Sequence, residues 1–87
     1  MNTKALEALT AKEPDEYSCY ARLIAAMCQE RCPKYLRPRP DTVWNMLAWY
    51  MTQSGPFREF LEPRGFQGIA RFVATAIDIW GYWLNEK

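Results

Sequence analysis

The residues best equipped for chemistry in this 87-residue chain are three cysteines, Cys19, Cys28 and Cys32, and no histidine accompanies them. Cys28 and Cys32 stand one helical turn apart, and thiolates are strong ligands for zinc and for iron–sulfur clusters. Cys19, however, is nine residues before Cys28, half a revolution round the same helix, so the three cannot meet on one ion without breaking that helix. Cys28 and Cys32 therefore read as small core hydrophobes, and neither a metal nor any other cofactor is expected. Cys19 falls off the apolar stripe, but a thiol with no adjacent base is not an activated nucleophile. The missing histidine removes the commonest base near neutral pH, and the chain has neither a glycine-rich phosphate cradle nor a nucleophile elbow. Glu59 and Glu62 share a helical face beside Arg58 and Arg64, which makes a solvated charge face rather than a paired acid and base. No catalytic residue is assigned, and an enzyme is not expected.

Two other groups of residues carry a binding hypothesis. The first is a basic segment in which Arg31, Lys34, Arg37 and Arg39 surround Tyr35, cations that could hold phosphates, beside a ring that could stack a base, or meet an acidic partner. The plainer reading is a solvated, proline-stiffened loop whose arginines pair with carboxylates or cap a helix end. A third is that the stretch from Leu36 to Pro40 docks in extended form on a partner. The second group comes from the aromatic content: four Trp, five Tyr and four Phe are more than a core of this size readily hides, and large aromatics anchor interfaces. Helical-wheel positions leave Trp49, Tyr50, Ile79 and Tyr82 unexplained by packing, and together they form a candidate partner-binding patch.

The elements that must position these groups are helical. Thr3 can cap a short helix carrying Leu6 and Leu9, and Thr10, Glu13 and Pro14 look like the start of the next. Over residues 15–32, Tyr17, Tyr20, Ala21, Ile24, Met27, Cys28 and Cys32 recur at three- and four-residue spacing, which predicts an amphipathic helix. Pro33 ends it, and the prolines of residues 33–40 impose an extended connector. Asp41 can cap a helix to Ser54, with Gly55 and Pro56 as its stop. Its main stripe is Trp44, Leu47, Ala48 and Met51, extended by Val43, Met46 and Tyr50, with Trp49 well off centre. Phe57, Phe60 and Leu61 make a short capping helix before an Arg64–Gly65 turn. The final helix, residues 66–85, carries a stripe of Ile69, Phe72, Val73, Ala76, Ile77, Trp80, Trp83 and Leu84.

The resulting expectation is an all-α, compact single domain over residues 1–87, a bundle of four to five helices packed around Ile24, Leu47, Phe72, Ile77 and Trp80. The apolar stretch of residues 69–83 is interrupted by Arg71 and Asp78 and is shorter than the ~20 residues of a bilayer span, so no membrane association is expected. An odd number of cysteines without a basic, then apolar leader points to a reducing compartment, the cytoplasm. A net charge of +1, mixed along both halves, directs the chain to no particular partner. The final helix offers Arg71 as its sole cation before Lys87, which argues against a helix-turn-helix reading duplex DNA. The expected function is binding of another protein or protein complex, as inhibitor, adaptor or subunit, through the aromatic surface. The alternative is a nucleic-acid-binding accessory protein using residues 31–39. A homodimer would equally cover the apolar excess of the helix over residues 41–54.

Overall fold

A computed structural model describes residues 16–85, so the short helix with Leu6 and Leu9 and the start signal at Thr10 lie outside the described residues. The order of elements is α1 (Glu16–Arg31), α2 (Pro40–Gln53), α3 (Gly55–Leu61), a 3-10 turn (Glu62–Arg64) and α4 (Gly65–Asn85). Every regular element among the described residues is helical. Among the described residues the fold rests on three long helices, not on the four to five expected, because Pro56 and Pro63 confine α3 to two turns. α1 packs most extensively on α4 and next on α2.

α1 buries Tyr17, Ala21, Ile24, Ala25 and Cys28, with Tyr20, Met27 and Cys32 partly covered beside them, the face that the spacing predicts. Its last amide bond runs from Cys32 N to the Cys28 carbonyl at 3.0 Å, and a turn follows in which Tyr35 N donates to Cys32 O at 3.3 Å. α2 begins one residue before the expected cap. Pro40 occupies its first turn, where a missing amide costs nothing and the fixed φ suits a helix, and Arg39 is the capping residue without a side-chain cap bond. Asp41 therefore sits inside the first turn, near the positive end of the helix dipole, and pairs with Arg39 at 3.1 Å. Ser54 is the joint between two helices. Its amide closes α2 on Tyr50 O at 2.9 Å, and its Oγ accepts from Phe57 N at 3.2 Å to open α3.

Six of the thirteen aromatic rings gather in one cluster at the centre of the fold. Ring centroids lie 5.4 Å apart for Tyr17 and Phe72, 4.9 Å for Tyr20 and Phe60, 5.0 Å for Tyr20 and Phe57, and 4.8 Å for Tyr50 and Phe57. With Tyr17 and Phe60 at 6.1 Å and Phe57 and Phe72 at 5.9 Å, six rings from all four α-helices are linked, at separations where edge-to-face and offset contacts are favourable. Arg64 covers the cluster, its guanidinium 4.1 Å from the Phe60 ring centroid and its Nε donating to Phe60 O at 3.1 Å.

This cluster sets the rotation of α2 and α4. Drawing Tyr50 towards Phe57 turns the buried face of α2 to Val43, Met46 and Leu47, so Trp44, expected inside, is 40 % exposed and Ala48 is exposed with it. On α4 the buried residues are Phe72, Val73, Thr75, Ala76, Ile79 and Trp80. Thr75 is turned inward because its hydroxyl bonds Tyr17 OH across the α1–α4 contact at 3.2 Å. Of the expected core, Ile24, Leu47, Phe72 and Trp80 are buried, whereas Ile77 is moved to the edge of the stripe.

Two glycines place the ends of α4. Gly65 enters the helix at φ 71°, a backbone conformation that side chains disfavour. At Gly81 a β-carbon would lie 3.4 Å from Pro38 Cγ, so the connector lies directly against this turn of α4.

Candidate functional site

The four residues of the predicted aromatic patch do not form one surface. Ile79 is 3 % exposed and belongs to the core, a correction that follows from the inward turn of Thr75 one helical turn before it. Tyr50 is half-buried in the ring cluster against Phe57. Tyr82 is half-buried, and it shares a helical face with Asp78 and Gly81, the face on which Pro38 rests. On that face, burial pushes the Asp78 carboxyl above its ordinary value. Trp49 alone of the four is open to solvent, at 53 % exposure, with its ring stacked on Tyr50 at 6.4 Å.

The basic segment divides as well. Arg39 is engaged: it donates to Tyr35 OH at 2.9 Å and to Asp41 at 3.1 and 3.3 Å, and its guanidinium lies 5.1 Å from the Tyr35 ring centroid. The Tyr35 hydrogen bond and then the Asp41 charge raise its already high pKa. One face of Tyr35 is consequently covered by a cation. Arg31, Lys34 and Arg37 are exposed and form no ion pair with a described residue.

What the structure does bring together is the exposed tryptophan and the free cations. A groove runs between α1 and α2, with Met27, Glu30 and Arg31 on one side facing Met46 and Trp49 on the other. Beside it a second hollow lies between Arg31 and Cys32 at the end of α1 and Thr42, Asn45, Met46 and Trp49 on α2, and a third, sharing Arg31 and Cys32, is lined by Pro33, Lys34 and Tyr35 of the connector. These pairings show the two helices running antiparallel along the groove. Arg31, Met46 and Trp49 line both of the first two hollows, Met27 only the first and Thr42 and Asn45 only the second, so the apolar side chains stand beside Arg31, with Lys34 beyond it in the connector. Leu23, one turn before Met27 on the same flank, is 38 % exposed and extends the apolar surface.

Met27 and Met46 were legible only as core residues, and Asn45 only as polar surface. Their part in the groove depends on the packing of two helices, for which no local signal exists.

The cysteines stay apart as well: Cys19 is exposed, Cys28 is buried and Cys32 is half-buried. Burial, with a smaller contribution from Cys32, pushes the Cys28 thiol up to about 12, the behaviour of an inert core thiol. Among the described residues no group of three potential metal ligands converges, and no helix is long and apolar enough to cross a membrane. Comparison with family models, with curated proteins and with solved structures returns no match for this chain.

Proposed function

We propose that the protein is a non-catalytic binding module that engages another protein through the groove between α1 and α2, acting as an inhibitor, adaptor or subunit of a larger assembly. The observation that carries this reading is Trp49. It is a large aromatic side chain left 53 % exposed on the wall of a groove, although the same fold draws six other rings into a single cluster. Tryptophan is the residue on which interface energy most often concentrates, and flanking methionines supply an adaptable apolar surface. Tyr50 behind the indole limits its motion, so little conformational entropy is lost when a partner covers it. The nucleic-acid reading has weaker support, since Arg39 is already paired and covers one face of the ring that would stack a base.

The test compares proteins retained from source-cell extract by the wild-type chain, by Trp49→Ala and by Trp44→Ala, the last on the opposite flank of α2. A partner held by wild type and Trp44→Ala and released by Trp49→Ala is expected, with the melting temperature of Trp49→Ala nearly unchanged. Identical partner sets for all three chains would refute the reading.

A further inference from the structure

We propose that the α1–α2 groove takes an acidic peptide segment whose apolar side chain seats against Met27, Met46 and Trp49 while its carboxylates meet Arg31 and Lys34. This rests on the protein-binding reading and adds the chemistry of what is bound.

The charges lining the groove select the ligand. Arg31 lines it beside one acid, Glu30, and Lys34 lines the adjoining hollow that shares Arg31; neither cation forms an ion pair with a described residue. Asp41, the chain neighbour of Thr42, is consumed by Arg39 through two contacts of 3.1 and 3.3 Å. An incoming carboxylate therefore finds unspent positive charge, and a guanidinium can receive it through two parallel hydrogen bonds. Thr42 and Asn45 line the second hollow with Arg31, and their side chains make no hydrogen bond to a described residue. They can serve the backbone amides of an extended segment.

Spacing along α1 fixes the form of the segment. Met27 and Arg31 are one turn apart, about 5–6 Å along the axis. An extended peptide covers that distance in about two residues and presents alternate side chains to the same side. The apolar anchor and the first acid are then two residues apart, and a further acid beyond it reaches towards Lys34.

Other occupants fit less well. A polynucleotide would bring its phosphates against Glu30 and would find few free cations, with one face of Tyr35 and one of Trp49 already covered. A second copy related by a two-fold axis along the groove would bring Arg31 and Lys34 towards their own counterparts, and one related by an axis across it would set them against Met27 and Leu23, so neither arrangement supplies a counter-charge.

The experiment is selection of a displayed library of random dodecapeptides on the full chain at low ionic strength. The most enriched peptide is then synthesised and titrated against wild type, Trp49→Ala, the charge-reversed Arg31→Glu/Lys34→Glu and the neutral Arg31→Gln/Lys34→Gln. All the altered side chains are exposed or half out of the fold, and circular dichroism with thermal melting confirms that each variant is folded.

Enriched peptides should carry an aromatic or large aliphatic residue with Asp or Glu two residues away. Affinity should fall at least about tenfold in Trp49→Ala and in the charge-reversed variant, less in the neutral one, and should weaken with added salt. Peptides lacking acids, bound equally by the charge-reversed variant but not by Trp49→Ala, would overturn the inference and leave protein binding at the groove standing. Peptides bound equally by Trp49→Ala, or no enrichment over a blank surface, would overturn both. Displacement of the peptide by a short oligo-dT, or a wild-type dimer by light scattering that Trp49→Ala dissolves, would assign the groove to nucleic acid or to a second copy instead.

Discussion

The hydrogen bond between Tyr17 and Thr75 is the polar contact that fixes the register of α1 on α4, and its energetics can be worked out group by group. Thr75 Oγ1 donates to the Arg71 carbonyl at 3.0 Å, which commits its single proton. Tyr17 OH, 3.2 Å away, must then be the donor to Thr75. Tyr17→Phe removes that donor and leaves Thr75 still bonded to Arg71, which should cost about 0.5–1.5 kcal/mol. Thr75→Val replaces the hydroxyl by a methyl of similar shape and strands the Tyr17 hydroxyl in the core without its acceptor, a larger loss of about 1–3 kcal/mol. The double variant leaves no stranded donor, so it should be less destabilised than the sum of the two, by about 0.5–1.5 kcal/mol. Urea unfolding followed by circular dichroism, with the denaturant slope unchanged across the four proteins, measures each value. In a domain of this size each kcal/mol also moves the melting temperature by roughly 4–8 °C, which gives an independent check. Strict additivity, or Tyr17→Phe costing more than Thr75→Val, would refute the assignment of donor and acceptor. With it would go the explanation for the inward turn of Thr75 and Ile79.

Ile79→Ala should destabilise by about 2–5 kcal/mol and Ile79→Val by about 0.5–1.5 kcal/mol in the same unfolding assay, the costs of emptying a packed site; a loss under about 0.5 kcal/mol for Ile79→Ala would return the residue to the surface. Cys28 makes stability depend on pH in a direction that can be stated. The fold holds its thiol well above the ordinary value of 9.0, at about 12, so the neutral thiol's contribution is fully present below pH 9 and is lost as pH rises towards 12. The melting temperature of wild type should therefore fall more steeply between about pH 9 and 11 than that of Cys28→Ala. Tyr20, raised by burial and then by Glu16 and Tyr50, remains in both proteins, so the difference isolates the thiol; parallel curves would refute its burial in the neutral form.

The helices were legible because apolar periodicity and prolines are local signals. Pro33, Gly55, Pro56 and the Arg64–Gly65 turn bracket the elements closely, and the α1 stripe from Tyr17 to Cys32 falls where the spacing puts it. The rotation of a helix about its axis is a different quantity, set by what neighbouring helices offer. A hydropathy stripe has no place for Thr75, which is buried through a partner 58 residues away in the chain. Moving it inward carries Ile79 into the core and Ile77 to the edge. The same limit applies to the connector. Its prolines showed that it is not helical but not where it lies, and the signal for its resting place was Gly81, the small residue that lets Pro38 approach α4.

The candidate site was present in the sequence as two unrelated fragments, a tryptophan counted with an aromatic patch and an arginine counted with a basic segment. Trp49 and Arg31 meet because α1 and α2 run antiparallel with their connector folded back against α4, an arrangement that non-local contacts decide. Their joining changes the chemistry each suggested alone. An aromatic patch by itself fits any apolar partner, and a basic loop by itself fits any polyanion. An indole and two methionines beside a guanidinium that pairs with no described residue, with Glu30 next to it to discourage dense negative charge, narrow the ligand to a short segment that is apolar at one point and acidic at the next. The discriminating power of such a site lies in the combination. A neutral apolar peptide leaves Arg31 and Lys34 without a counter-charge, while a polyanion leaves Trp49 and the open part of Met27 in water, so each wrong class of partner forfeits one half of the contact.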